Sequence, residues 1–222
     1  MNSIKAIIFD LDGTLYESRH FPLRLILADP LHICTLASER KCRKQLRGRQ
    51  FASAEEYYRE LFLLMGKGSP VKAGRCRKWF FDRYLPAQIR IIRDIFGPRK
   101  DVKALMEKLS ADGYKVAVLS DYGAVDEKLA ACGLSSEMFF TVAESAELGS
   151  LKPDRNVFLN ICSRMGVEPS ETLMVGDKVS TDGGAIDAGL QFIHIIDNEK
   201  DRGKSGPQYT DRLWSEFLRM FM

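Results

Sequence analysis

From Arg99 onward short apolar runs alternate with helical patterns, and this alternation restricts the fold more than any other feature of the chain. RKDVKALMEKLSADG puts Val102, Leu105, Met106 and Leu109 on one helical face and stops at Gly113. YKVAVLS reads as a buried strand, GAVDEKLAACG as a helix ending at Gly133, and MFFTVAES as holding a short strand. PDRNVFLNICSRMG is helical, with Pro153 near its start and Gly166 at its end. ETLMVGD reads as a strand, TDGGAIDAG as a short helix and QFIHII as a strand. Upstream, IKAIIFD is another buried strand. The pattern predicts an α/β fold, a parallel sheet covered by helices on both faces. At the end, DRLWSEFLRMFM spaces Leu213, Trp214, Phe217, Leu218 and Phe221 helically and predicts an amphipathic helix packed on the core.

Tyr16 to Gly97 breaks the alternation. Leu61, Leu64 and Met65, then Trp79, Phe80 and Tyr84, recur at three- and four-residue spacings. This stretch predicts three to five helices, with loops near Gly48, the Gly66–Pro70 cluster and Pro86. Charge divides at the same place. Glu17 to Lys100 carries 19 Lys and Arg against 8 Asp and Glu, while the rest carries 14 against 22, within a net charge of +3. Such a split predicts two parts with different roles. At ~100–200 residues per domain, 222 residues allow one or two domains. With 45% hydrophobic and 28% charged residues, the chain is neither disordered nor fibrous.

The N-terminal apolar run is short and interrupted by Asp10 and Asp12, so no signal peptide is expected. No run approaches the ~18–20 apolar residues of a membrane helix. Five scattered cysteines form no CxxC, which predicts reduced thiols in the cytoplasm. His20, His32 and His194 are far apart and are expected to be neither catalytic nor metal-binding.

Chemistry concentrates where strands end. Asp10-Leu11-Asp12-Gly13-Thr14 directly follows the first strand. Gly13 alone fits a polar turn, but two carboxylates at i and i+2 ask for more. Ser120 ends YKVAVLS, Lys152 precedes a helix in LKPD, Asp177 ends ETLMVGD, and Asp182 follows five residues later. Ligands of open parallel sheets bind outside the carboxyl ends of the strands, where Asp10, Ser120 and Asp177 sit. Asp10, Asp12, Asp177 and Asp182 would crowd negative charge into one crevice and protonate unless compensated. Lys152 supplies one positive charge. A hard divalent cation with oxygen ligands, Mg²⁺, supplies two more, and the absence of nearby His or Cys argues against zinc.

This constellation resembles the haloacid dehalogenase-like hydrolase superfamily over residues 1–15 and about 97–196. The resemblance implies a Rossmann-like three-layer core with an inserted all-helical cap domain: core 1–15 and 97–222, cap 16–96. It implies a Mg²⁺-dependent phosphatase acting on a small phosphorylated metabolite. Asp10 would be the nucleophile forming an aspartyl-phosphate and a metal ligand. Asp12 would be the general acid/base, with its carbonyl on the metal. Thr14, Ser120 and Lys152 would hold the phosphoryl group, with Lys152 counted as catalytic. Asp177 would ligate the metal and Asp182 support it. An acid at position 12 fits a poor alkoxide leaving group, hence phosphate esters rather than haloacids. The family often has Asn after the motif serine; Asp121 here adds a negative charge beside the phosphate site.

Arg40 to Arg49 carries six cations in ten residues, with Arg75, Arg77 and Lys78 nearby. These residues read as a solvated helix face, as steering for anionic substrates, or as contacts to nucleic acid, for which interleaved aromatics are lacking. The insert is expected to hold the specificity residues. Two rival readings share the same motifs: a sugar-phosphate mutase, and a polyanion-binding protein without turnover. No membrane partner is expected, and the chain is read as a monomer.

Overall fold

The computed structural model describes residues 4–222. Six parallel strands form one sheet in the order β3-β2-β1-β4-β5-β6. They are β1 (Ala6–Phe9), β2 (Lys115–Ser120), β3 (Thr141–Glu144), β4 (Thr172–Gly176), β5 (Gln191–Ile196) and β6 (Thr210–Leu213). Side chains of a strand point alternately to opposite faces, and β1 shows the consequence. Ile7 and Phe9 join one apolar cluster with α6 (Val102–Ala111), α7 (Val125–Ala131) and α9 (Trp214–Leu218). Ala6 and Ile8 join another with α8 (Arg155–Met165) and the 3₁₀ segment Asp182–Ala188. The expected three layers follow: helices, sheet, helices.

Strand order reverses beside β1, whose neighbours are β2 on one side and β4 on the other. A crevice opens at such a switch point. The first acidic motif therefore leaves the sheet at its centre.

Between β1 and β2 the chain builds helices before α6: α1 (Phe21–Ala28), α2 (Ile33–Leu46), α3 (Ala54–Met65), α4 (Pro70–Trp79) and α5 (Leu85–Ile91). Local signals fix their starts. Ser53 Oγ accepts from the Glu56 N–H, while Glu56 reaches back to the Ala52 N–H, and Ser69 Oγ accepts from the Lys72 N–H ahead of Pro70. A third apolar cluster, with Leu61, Phe62, Phe80 and Tyr84 among its members, lies largely within these helices.

Two expectations need correction. Pro86 makes no loop. The helix continues through π-helical turns at Phe80–Tyr84 and Ile92–Phe96, and Pro86 sits in the first turn of α5. A wider turn absorbs the N–H that proline lacks, with the Leu85 N–H bonded to the Phe80 carbonyl. The C-terminal segment also begins as a strand. Thr210–Leu213 pairs with Ile193–Ile196 and leaves only Trp214–Leu218 helical. Sheet-edge hydrogen bonds and the Asp211–His194 contact outweigh the helical spacing there. The apolar residues still reach the core, with Trp214 and Phe217 buried and Leu218 and Phe221 packed against them. All five cysteines are free. Among the described residues, no helix is long and apolar enough to cross a membrane.

Candidate active site

Asp10 follows β1 directly and is buried. Its Oδ1 accepts from Lys152 Nζ at 2.7 Å, and its Oδ2 accepts from Thr14 Oγ1 at 3.2 Å. Lys152 Nζ also donates to Asp182 Oδ1 at 2.6 Å and to the Leu119 carbonyl at 3.2 Å. Burial alone would push the Lys152 ammonium towards deprotonation. The Asp10, Asp182 and Asp121 carboxylates win and hold its pKa well above the ordinary value. One buried cation thus joins the chain at the ends of β1 and β2 to the 3₁₀ segment that follows β4.

Gly13 lets these loops meet. Its φ is +113°, and a Cβ there would overlap the Asp177 carboxylate. No other residue tolerates both constraints. Arg99 fixes the same turn from behind. Its Nε donates to the Thr14 carbonyl at 2.9 Å, and its Nη2 to the Gly13 carbonyl at 2.8 Å and Asp197 Oδ1 at 2.9 Å.

One oxygen from each of Asp10, Asp177 and Asp182 lies within 4.8 Å of the other two. Asp177 Oδ1 is buried and has no hydrogen-bond partner. An orphaned carboxylate oxygen in an all-oxygen, anionic donor set fits a hard divalent cation of the Mg²⁺ type. The Asp12 carbonyl also faces the crevice and accepts from Lys178 Nζ at 3.3 Å. Burial raises the Asp177 pKa to about 7, with Asp10 and Asp182 adding to the shift against Lys178. Burial also raises Asp182 to about 6, with Asp10 adding to it against the nearby Lys152.

These shifts set a pH dependence. Between pH ~4 and ~7 the folded chain holds protons that the unfolded chain has released, so stability is fully present below the unfolded value and falls as pH rises to 7. In chelator, urea melts should lose a few kcal/mol across this window. Mg²⁺ should flatten the slope, and Asp177→Asn should remove much of it. An equally steep slope in Asp177→Asn would contradict the assignment.

The Asp12 side chain is placed differently from Asp10. Its Oδ1 accepts from Tyr16 OH at 2.6 Å and Lys128 Nζ at 2.9 Å, and its Oδ2 from Ser120 Oγ at 2.7 Å. Burial works against its charge. Lys128 and the three hydrogen bonds outweigh burial and hold the carboxyl below the usual range. In this arrangement Asp12 is an acceptor, and Ser120 is engaged with it.

Asp121 does not stand as a bare charge. Its Oδ1 accepts from the Lys152 N–H at 3.0 Å, which locks the backbone that carries Lys152. Its carbonyl accepts from Arg43 Nη1 at 2.5 Å. Arg43 also bonds Glu39 and lies 4.4 Å from the Tyr122 ring centroid. This member of the basic cluster is therefore buried and neutralised, not a solvated charge. Tyr58 OH donates to Glu144 Oε1 at 2.6 Å, and the Phe51 N–H to the Gly149 carbonyl at 2.7 Å, tying the inserted helices to loops beside the sheet.

The structure brings Asp10, Asp12, Thr14, Ser120, Lys152, Asp177 and Asp182 together. Sequence reading passed over Lys128, Tyr16, Lys178, Arg99 and Arg43. For Lys128 a signal existed. It stands with Val125, Leu129 and Cys132 at i, i+3, i+4 and i+7, so a charge occupied the buried stripe of α7. His194, expected to be a bystander, bridges Asp211 Oδ1 at 2.8 Å and the Asp177 carbonyl at 3.0 Å.

Known proteins share this architecture. The chain is 27% identical over 202 residues to a glyceraldehyde 3-phosphate phosphatase of Methanopyrus kandleri, covering 86% of this chain and 84% of that one. It is 27% identical over 220 residues to one of Methanocaldococcus jannaschii, covering 94% and 91%. A solved HAD phosphatase from Thermococcus onnurineus superimposes with a TM-score of 0.63 at 27% identity, covering 98% and 97%. The haloacid dehalogenase-like hydrolase profile matches residues 4–189, and the chain belongs to that family.

Proposed function

We propose that the protein is a Mg²⁺-dependent phosphatase acting on a small phosphorylated metabolite through an aspartyl-phosphate on Asp10. The observation that carries this reading is Asp10 itself. It leaves the central strand with one oxygen on Lys152 and lies in a three-carboxylate cluster with an orphaned oxygen. The names of its relatives, phosphatases of a three-carbon phosphate, point the same way. When bound, Mg²⁺ would neutralise charge on the transferring phosphoryl group, with Asp10, Asp177 and the Asp12 carbonyl holding it and Asp182 in support.

In the first step an Asp10 carboxylate oxygen forms a bond to phosphorus as the ester P–O bond breaks, and the departing oxygen takes a proton. In the second a water oxygen displaces Asp10 from phosphorus, freeing phosphate and giving its proton to a base. Covalent catalysis divides one difficult hydrolysis into two steps. Lys152, Thr14 and Ser120 would meet the equatorial oxygens where charge accumulates. Asp12, held ionised by Lys128, suits the base of the second step. To act as acid in the first it must turn from Lys128 and pick up a proton.

We also propose the division into a core of 1–15 and 97–222 and a helical cap of 16–96. An apolar cluster centred on the inserted helices, which also takes in Ala146 and Leu151 of the core, supports it, and closure of such a cap would exclude water.

The test is phosphate release from a panel of sugar and triose phosphates, with Mg²⁺ and with chelator. Release that depends on Mg²⁺ is expected. Isomerised phosphate ester without free phosphate would replace this reading with a mutase, and no turnover on any ester would remove it.

A further inference from the structure

The chemistry proposed above leaves one buried histidine unused. His194 stands on β5, in register with Gly176 at the end of β4 and with Asp211 on the edge strand β6. Side chains in register across a sheet share a face, so the imidazole meets the Asp211 carboxylate beside it. Both residues are buried, His194 9% and Asp211 5% exposed.

The two ring nitrogens have different partners. Nε2 lies 3.0 Å from the Asp177 carbonyl. A carbonyl only accepts, so Nε2 carries a hydrogen and donates it. Nδ1 lies 2.8 Å from Asp211 Oδ1, with Ser205 Oγ farther off at 3.4 Å. Bare lone pairs would repel at that separation, so a proton lies between Nδ1 and Oδ1. Such a contact fixes which way the ring faces. Asp211 is itself held. Its Oδ2 accepts from the Gly203 N–H at 2.6 Å, and its carbonyl from Arg202 Nη1 at 2.9 Å.

This series of contacts ends at Asp177. β4 stops at Gly176, one residue earlier. Asp177 belongs to the three-carboxylate cluster and owns its orphaned oxygen. A side chain can be no better placed than the backbone that carries it, and groups bonded behind a metal ligand orient it. His194 and Asp211 both lie outside residues 4–189, the span the family profile matches.

We propose that His194, held by Asp211, is a positioning residue for Asp177. It pins the Asp177 carbonyl and so keeps the carboxylate in the cluster where the divalent cation binds. The edge strand β6 thereby serves the metal site through its neighbour β5. The inference rests on the reading of a cation held by Asp10 and Asp177.

Mn²⁺ probes the site in substrate-free protein, with the unbound ion counted by its EPR signal. His194→Leu removes both ring contacts and should weaken Mn²⁺ binding by roughly tenfold to a hundredfold. Glutamine places an amide N–H near the position of Nε2 and needs no help from Asp211. His194→Gln should therefore bind within about threefold of the parent, because the bond to the carbonyl is kept. Asp211→Ala frees the ring and should weaken binding several-fold in the parent, but no further in His194→Gln. Phosphate release should follow the same order at limiting Mg²⁺ and converge at saturating Mg²⁺. Equal losses in His194→Leu and His194→Gln would reduce the ring to a structural filler and overturn the proposal. Parent-like affinity in His194→Leu and Asp211→Ala, with Asp177→Asn losing Mn²⁺, would overturn this inference alone. No Mn²⁺ binding by the parent, or undiminished binding in Asp177→Asn, would overturn the cation reading and this inference with it. Should His194→Leu fail to fold, Asp211→Ala decides the matter, and parent-like affinity there is the overturning result.

Discussion

Asp10→Asn is expected to reduce phosphate release by at least ~10⁴-fold while the chain stays folded, a loss of the size seen when a nucleophile is removed. The amide keeps the shape of the carboxylate and can still accept from Lys152, whose second carboxylate, Asp182, remains at 2.6 Å. It cannot form the acyl-phosphate bond. Stability should not fall, because Asp10 is one of the charges that raise Asp177 and Asp182. Removing it relieves repulsion in the metal-free protein, and both carboxyls should titrate at lower pH. Phosphorylation of the chain, read by acid-quenched labelling, should disappear with turnover. Activity within tenfold of the parent would exclude Asp10 as the nucleophile, and a collapsed fold would show that its charge is structural.

Lys152→Met should damage both stability and turnover. The ammonium is 2% exposed and is bonded to Asp10, Asp182 and the Leu119 carbonyl. Breaking a buried pair by removing one partner costs about 3–5 kcal/mol, because the remaining charge is stranded. Carboxylates escape this cost by protonating, so the deficit depends on pH. Lys152 is the chief influence holding Asp182 down against burial, and without it that pKa should climb. Urea melts in chelator should therefore show a large deficit at pH 8 and a smaller one at pH 5. Turnover should fall by ~10²–10³-fold or more even with saturating Mg²⁺, the usual loss of one preorganised charge-stabilising donor. Equal deficits at the two pH values, or turnover within a few fold of the parent, would contradict the role given to this lysine.

The readable parts of the site share a cause. Asp10, Asp12, Gly13 and Thr14 are contiguous, and Ser120, Asp177 and Asp182 sit at the ends of strands marked by apolar runs. Local pattern locates such residues, and the parallel-sheet rule places them on one side. Lys128 and Tyr16 obey no such rule. Lys128 reaches Asp12 because α7 packs against the segment after β1, a contact 116 residues apart in sequence, and Tyr16, only four residues on, reaches it through the path of the turn at Gly13. Arg43 shows the same limit from the other direction. Six cations in ten residues read alike, and only packing against Asp121 and Tyr122 sets one of them apart.

The ends of the chain divide along the same line. Apolar residues at Trp214 and Phe217 predicted burial correctly, since burial follows hydrophobicity. They mispredicted the element, because Thr210–Leu213 takes strand form only by pairing with β5. Pro86 likewise signals a break, and a π-helical turn absorbs it.

By itself, then, the sequence determined the layer architecture, the place of the acidic loops and the presence of a basic helical insertion. These depend on period, spacing and charge within short windows. Tertiary structure alone decided that Asp12 is held ionised by Lys128 and that Asp121 anchors Lys152 rather than burdening the phosphate site. Each of these is a pairing between distant residues, and a carboxylate's pKa is set by the charges and solvent around it, which exist only once the chain has folded.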